Sequence, residues 1–312
     1  MDLVDVVVVG GGPAGLTAAL YAARARAKTI VFESAMPGGQ ITTTDHIENY
    51  PGFPEGLSGA ELGELMRAQA ERHGAELRIF ETVNGIRPHE GGWAMSVDGS
   101  ESLLARTVIV ATGAVPRKLD CPGEAQYTGR GVSWCAVCDG ALYRGKTVAV
   151  IGGGDSAVEE AIFLTKFAAK VYVIHRRDEL RATKCIQERC LSNDKIEMRW
   201  NRTVAEIIGD GNKVTSLRLA STAGEDDDSV EVDGVFIYVG IHANSELLRD
   251  VATLNEAGFV VVGADQMTSE PGLFAAGDVT NDVLKQVVTA AGQGATAAFE
   301  AVKYLDEGVC TI

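Results

Sequence analysis

Short apolar runs that end in glycine clusters and give way to a helical period set the pattern of this chain. Val4 to Val9 is β-branched with one acid among its residues, the mark of a strand buried on both faces of a parallel sheet. Gly10-Gly11-Gly12-Pro13-Ala14-Gly15 follows it, then Leu16 to Ala27 with the period of a helix, then a second strand at Thr29 to Phe32. Further on, Gly59 to His73 predicts a helix, Glu76 to Val83 a strand, and Trp93 to Val97 with Ser102 to Arg106 a hairpin. Thr107 to Thr112 is another apolar strand, closed by Gly113.

The same opening recurs in the second half. Thr147 to Ile151 reads as a strand that runs into Gly152-Gly153-Gly154-Asp155-Ser156-Ala157, with a helix over Ala157 to Ala168 and a strand over Lys170 to Ile174. Asn201 to Leu219 predicts two strands around a turn at Gly209 to Asn212, and Val235 to Gly240 a last strand before the return. Glu225 to Asp228 reads as a solvated acidic loop. Ala114 to Pro122, with two prolines and no period, suits a crossing between domains, and Ala243-Asn244-Ser245 leads back. Phe259 to Val262 and Leu273 to Ala276 are then strands, followed by a helix from near Lys285-Gln286 to Leu305.

Each repeat of this pattern carries a nucleotide-binding signature. In the first, Gly10, Gly12 and Gly15 have the G-x-G-x-x-G spacing, which gives a tight turn, close approach of backbone to a pyrophosphate, and close packing of the next helix. Glu33, eighteen residues past Gly15, ends the next strand, where an acid accepts hydrogen bonds from ribose hydroxyls. Strand, loop, helix, strand and acid in register point to an adenine dinucleotide. In the second, Gly152 and Gly154 with Ala157 in the third position open the fold, and the next strand ends in His175-Arg176-Arg177, with Arg181 one turn on. Guanidiniums bind a 2′-phosphate that an acid would repel, so this site favours NADP over NAD. A solvated basic surface is the alternative.

Between the two loops lies Ser133-Trp134-Cys135-Ala136-Val137-Cys138-Asp139-Gly140. Two cysteines separated by two residues close a small disulfide with little rearrangement, and Asp139 beside them can give or take the proton of thiol exchange. Half of a zinc site is the competing reading, but a second pair or two histidines at compatible spacing are not obvious here. At the far end of the chain, Gly277-Asp278 closes a strand, where an Asp can bond a ribityl hydroxyl or simply cap the turn.

Composition narrows the partners more than the fold. The 312 residues are 46% hydrophobic and 23% charged, enough for two domains with ample core. A net charge of −15 argues against duplex nucleic acid or an anionic membrane as partner. The start lacks the basic and long apolar segments of a signal peptide, and no span approaches twenty apolar residues. Cys121, Cys185, Cys190 and Cys310 are therefore expected to be free thiols, in a reducing cytoplasm.

Taken together the chain resembles the low-molecular-weight, bacterial-type thioredoxin reductases over nearly its whole length. The matches are residues 10–15, Glu48-Asn49-Tyr50-Pro51-Gly52, Ala111-Thr112-Gly113, Cys135 to Gly140, Gly152 to Glu160, His175-Arg176-Arg177 with Arg181, and Ala275-Ala276-Gly277-Asp278-Val279. The resemblance implies an α/β fold of two Rossmann-like domains of the three-layer ββα type, with residues 1–115 and 244–312 forming an FAD domain and residues 116–243 an inserted NADP domain. It implies FAD at Gly10, Gly12, Pro13, Ala14, Gly15, Glu33, Gly39, Gln40, Asn49, Val83, Ala111, Thr112, Gly113, Gly277, Asp278, Lys285, Gln286 and Val287. Ser34 to Ile41 and Asp278 to Val287 match the family's flavin-contacting segments. NADPH is implied at Gly152, Gly154, Asp155, Ser156, Ala157, His175, Arg176, Arg177 and Arg181.

By the same resemblance Cys138 faces the flavin, Cys135 attacks the disulfide of thioredoxin, Asp139 protonates the leaving thiolate, the domains rotate between half-reactions, and the protein is a homodimer. Four positions depart from the family pattern: Trp134 and Val137 beside the cysteines, Lys285 in place of a usual arginine, and Ala243 in place of a usual proline. Competing readings are a flavin-dependent reductase or oxidase with another dithiol or disulfide partner, and a non-catalytic nucleotide sensor.

Overall fold

The computed structural model describes residues 3–44, 46–282 and 284–309. Its residues form two compact units, Met1–Val115 with His242–Ile312, and Pro116–Ile241. The first unit opens with β1 (Leu3–Val9) and α1 (Pro13–Arg24), whose leading proline is already at helical φ and has no N–H to leave unsatisfied. β2 (Thr29–Glu33) lies parallel to β1. α2 (Gly59–Arg72) starts where the Ser58 hydroxyl accepts from the Glu61 N–H at 3.1 Å.

β3 (Glu76–Ile79) ends at Phe80, whose φ of 61° breaks the expected Glu76–Val83 strand, and β4 (Val83–His89) starts afresh. β5 (Gly92–Val97) then pairs with β6 (Ser100–Val110). The sequence pattern divides that last stretch into a hairpin arm and a separate strand, but it is one strand of 11 residues. Its first half is antiparallel to β5 along one edge, while β1 runs parallel along the other.

β7 (Ala114–Pro116) carries the chain into the second unit, which contains α3 (Glu124–Tyr127), β8 (Val132–Ser133), α4 (Ala136–Asp139), β9 (Thr147–Ile151) and α5 (Asp155–Leu164). β10 (Lys170–Ile174), α6 (Lys184–Leu191), β11 (Ile196–Arg199), β12 (Arg202–Gly209), β13 (Val214–Ser221), β14 (Asp228–Glu231) and β15 (Gly234–Ile237) complete it. A five-stranded sheet of order β11-β10-β9-β15-β8 is parallel throughout. Alternation sorts its residues by face: Val148 and Val150 join Ala157, Ala161 and Leu164, while Ala149 and Ile151 join Leu217 and Leu219 of the antiparallel β12-β13-β14 sheet. The acidic stretch is less free than expected, because Arg199 reaches Asp228 at 3.2 Å and Arg202 reaches Glu225 at 2.8 Å.

β16 (Ile241–Ala243) brings the chain back, and β17 (Leu273–Ala275) and α7 (Val287–Val309) finish the first unit. β17 pairs parallel with the second half of β6, so the sheet reads β3-β2-β1-β6-β5-β4 with β17 beside β6. Phe259 to Val262 forms no strand; Val260 makes only isolated bridges, to Leu254 and Thr280. Val4, Val7 and Val9 pack with Trp93, Met95 and Leu248, and Val6 and Val8 pack with the alanines of α1 and α7. No helix among the described residues is long and apolar enough to cross a membrane.

The close fit of α7 on α1 depends on one missing side chain. A β-carbon at Gly294 would lie 2.1 Å from the Ala14 carbonyl oxygen, whereas at Gly292, two residues earlier on the same helix, nothing lies within 4 Å. Gly294→Ala should therefore destabilise the first unit by about 1–3 kcal/mol through overpacking. Gly292→Ala should stabilise it by roughly 0.5–1 kcal/mol by removing backbone freedom from the unfolded chain. Urea unfolding of the two variants checks the opposite signs; equal effects would mean that the helix contact adjusts freely.

Candidate active site: two glycine loops and a disulfide

The first loop sits at the carboxyl ends of β1 and β2, and its conformation is dictated by contacts that exclude side chains. Gly10 has φ 108° and stands against the Ala111 carbonyl, where a β-carbon would lie 2.4 Å away. A β-carbon on Gly15 would lie 1.8 Å from the Gly10 carbonyl oxygen, so the first turn of α1 is wound directly onto the loop. Gly12 and Gly39 face each other with no side chain between them: a β-carbon on Gly39 would come within 3.1 Å of the Gly12 Cα. Gly38 donates its N–H to the Gly11 carbonyl at 2.8 Å, closing this side.

Glu33 is where the register places it. Its two carboxylate oxygens accept from the N–H groups of Gly11 at 2.7 Å and Ala35 at 2.8 Å, which holds the acid at the lip of the loop. The other residues expected at this site gather at the same strand ends. Ala111 donates to the Val9 carbonyl at 2.7 Å. Asn244 spans Thr112 and Gly113, donating from its main chain to Gly113 O at 3.0 Å and from its side chain to Thr112 O at 2.9 Å. Gln40 donates to the Ala114 carbonyl, and Asn49 to Gln286 Oε1 at 3.0 Å. Val83 is an exception in kind: its side chain belongs to the core, so only its main chain is available to a ligand.

On the last strand, Gly277 with φ 80° turns the chain and Asp278 follows, half-buried. Burial raises the Asp278 pKa, and the nearby Lys285 opposes the rise. Lys285 is itself held inward, donating to the Thr280 carbonyl at 2.7 Å with its ammonium 4.6 Å from the centre of the Phe259 ring. Burial lowers its pKa. Val287 is the first residue of α7 and packs beside Ile47, Leu57 and Leu62.

The second loop repeats the construction at the ends of β9 and β10. Gly152 has φ 149°, and a β-carbon there would meet the Tyr238 carbonyl oxygen at 2.5 Å and the Ala157 methyl at 2.7 Å. Gly154 stands just before the first turn of α5, where Asp155 accepts from the Thr183 N–H at 2.7 Å and Ser156 is exposed. His175 is not a surface cation. Its ring is buried under Gly153, and desolvation, aided by Arg177, Arg176 and Arg181, lowers its pKa, so it is neutral at pH 7. Arg176, Arg177 and Arg181 are exposed, and among the described residues no carboxylate pairs with them. The main chain of Arg181 is nonetheless fixed, because its backbone N–H donates to the Gly153 carbonyl at 2.7 Å.

The cysteines lie at the end of β8, on the same carboxyl edge of the same sheet, and they are joined as a disulfide with Cα atoms 5.3 Å apart. The Ser133 hydroxyl accepts from the Cys135 N–H at 3.0 Å, and the Cys138 N–H points at Cys135 Sγ at 3.1 Å. Burial raises the Asp139 pKa, against a hydrogen bond from Ser133, so this carboxyl holds a proton more readily than an exposed aspartate. Among the four departures, Val137 is exposed, Trp134 packs into the β12–β14 side of the core, and Ala243 is buried. Cys121, Cys185 and Cys190 are free, and Cys310 lies outside the described residues.

One residue of this site, Tyr238, is unmarked by the sequence, and another, Glu160, falls inside a motif that gives it no role. Tyr238 follows β15, sets its carbonyl against Gly152 and accepts from the Ala136 N–H at 2.7 Å through its hydroxyl, tying the second loop to the disulfide turn. Glu160 keeps a buried carboxylate oxygen without a partner, and its charge adds to the burial that raises the Tyr238 pKa. No motif marks Tyr238, whereas Glu160 lies inside the glycine-loop match.

The residues fit two dinucleotides. Both loops leave backbone where a pyrophosphate approaches, one followed by an acid and the other by unpaired guanidiniums. Comparison with known proteins agrees. Residues 4–294 match the family model described as pyridine nucleotide-disulphide oxidoreductase. A thioredoxin reductase of Mycolicibacterium smegmatis is 47% identical, with 97% of each chain covered, and one of Listeria innocua is 45% identical over 97% of this chain and 94% of its own. Among solved structures, thioredoxin reductase from Streptococcus pyogenes superimposes with a TM-score of 0.93 at 43% identity, covering 98% of this chain and 99% of that one. The chain belongs to the pyridine nucleotide-disulphide oxidoreductase family and, within it, to the bacterial-type thioredoxin reductases.

Proposed function

We propose that the protein passes electrons from NADPH through FAD to the Cys135–Cys138 disulfide and on to oxidised thioredoxin. The observation that carries this reading is the joining of Cys135 and Cys138 on the sheet edge that also bears the arginine-flanked glycine loop. FAD supplies a carrier that accepts a hydride and releases two electrons to a disulfide. Gly10, Gly12, Pro13, Ala14 and Gly15 would hold its pyrophosphate and Glu33 a ribose, with Gly39, Gln40, Asn49, Val83, Ala111 to Gly113, Gly277, Asp278, Lys285, Gln286 and Val287 along the rest. Gly152, Gly154, Asp155, Ser156 and Ala157 would cradle the NADPH pyrophosphate, with Arg176, Arg177 and Arg181 on its 2′-phosphate and neutral His175 beneath the loop.

Two electrons and two protons open the disulfide to two thiols. Asp139, protonated more readily because it is buried, hands a proton to the leaving thiolate and takes it back when a thiol must ionise. Cys135 then attacks one sulfur of the substrate disulfide and the other sulfur leaves as a thiolate. Cys138 breaks the mixed disulfide, which restores Cys135–Cys138 and releases a reduced dithiol. Reducing cytoplasm and a homodimer belong to the same reading, supported by the free thiols and by family resemblance.

Cys138→Ser should keep FAD bound and still bleach with NADPH, since neither glycine loop is touched, yet reduce no protein disulfide. Turnover of thioredoxin near the parent rate would remove Cys138 from the mechanism, and a parent that reduces other disulfides but no thioredoxin would shift the acceptor. For the nucleotide, a charge-assisted hydrogen bond is worth roughly 1.5–3 kcal/mol, so replacing Arg176 and Arg177 by alanine should lower kcat/KM for NADPH at least about tenfold and leave NADH almost unchanged. A parent enzyme indifferent to the 2′-phosphate would contradict that assignment.

The dithiol and the second loop travel on one unit and the first loop belongs to the other, so the proposal includes domain rotation that lets nicotinamide and dithiol take turns at the flavin. A crosslink between the units should then slow one half-reaction and spare the other. Stopped-flow traces showing both at full rate with the link intact would rule the alternation out.

A further inference from the structure

The segment that follows β17 turns sharply, and each of its anchor points is a hydrogen bond. The Gly277 carbonyl accepts from Thr280 twice, from N at 3.0 Å and from Oγ1 at 2.8 Å, and the Thr280 carbonyl in turn accepts from Lys285 Nζ at 2.7 Å. The Gly277 N–H is taken from outside the segment: it donates to Gln293 Oε1 at 2.7 Å. The other end of the same side chain, Nε2, donates to the Asp282 carboxylate. One amide from α7 thus clamps both sides of the turn that contains Asp278. Its orientation is unambiguous, because an N–H requires the oxygen and a carboxylate requires the NH2 group.

Position 293 is also held in place. Gly294 lies against the Ala14 carbonyl with no room for a β-carbon, and a β-carbon on Gly277 would meet the Ala14 methyl at 2.8 Å. The helix therefore cannot slide to let a shorter side chain reach. We propose that Gln293 is a positioning residue for the flavin site: by bridging the Gly277 N–H and the Asp282 carboxylate it fixes Asp278 and the turn around it, and so sets how tightly FAD is retained. The proposal rests on the reading of this unit as the FAD unit. Nothing in the glycine motifs marks position 293, which lies outside the segments that resemble the family's flavin contacts.

The test is FAD affinity of the deflavinated protein, followed by quenching of flavin fluorescence, with circular dichroism and the melting temperature of the apoprotein as controls. Gln293→Leu keeps the volume and removes both hydrogen bonds; it should raise the FAD Kd at least about tenfold while the apoprotein melts near the parent temperature. Gln293→Glu keeps an acceptor for Gly277 but sets a carboxylate against Asp282, and should weaken FAD to a similar extent. Adding Asp282→Asn restores a donor–acceptor pair of opposite sense and should return the Kd to within about threefold of the parent, a rescue that lost packing alone would not show. Unchanged affinity in Gln293→Leu, or a double variant no better than Gln293→Glu, overturns the proposal; should Gln293→Leu not fold, the charge-exchanged pair decides alone. A parent apoprotein that takes up no FAD would instead refute the reading of the unit.

Discussion

Backbone lying against backbone where a side chain would otherwise stand is the constraint on which both units depend. At the first loop the Gly10 carbonyl occupies the space of a β-carbon on residue 15, and at the second the Tyr238 carbonyl and the Ala157 methyl occupy that of residue 152. Each contact draws a helix onto the end of a strand and leaves a stretch of main chain uncovered, facing outward. That uncovered stretch is what a pyrophosphate needs, because only main-chain N–H groups at a helix start can approach it closely. Packing and binding are thus met by the same atoms, and a methyl group there would disturb both.

From this shared plan the two units diverge by charge. Glu33 closes the first loop and is held by two main-chain donors, while the corresponding strand in the second unit ends in a buried neutral histidine and exposed guanidiniums. A carboxylate suits ribose hydroxyls and a guanidinium suits phosphate, so a short stretch at a strand end separates two cofactors on one scaffold. The disulfide uses a third strand end. There partial burial raises the Asp139 pKa beside the cysteine pair, and the tyrosine after β15 links that turn to the nucleotide loop.

Much of this was legible along the chain. Apolar runs with both faces buried, glycines at fixed spacing, an acid or arginines at a strand end and a cysteine pair are local in sequence, because strand, turn and helix start follow one another within about thirty residues. Hence β1, α1, β2, β9, α5 and β10, both nucleotide loops and the dithiol could be placed from the residues alone, though helix ends moved by up to four residues.

What tertiary structure decided is what depends on a partner far away in sequence. β6 is one strand because β5, β1 and β17 successively pair along it, and no local signal states that its two halves share a sheet. Val260 fails to extend into a strand because its neighbours, Leu254 and Thr280, offer only single bridges. The acids near Asp228 are held by arginines more than twenty residues away, Tyr238 reaches back 102 residues to Ala136, and Asn244 reaches back 132 to Thr112. Gln293 meets Gly277 only because α7 is pressed onto α1 at a glycine. The sequence determined the two loops, their charges and the redox pair, since each is built from neighbours along the chain. Which side chains hold those pieces in place was settled by long-range packing, because a hydrogen bond between distant residues has no period or spacing to betray it.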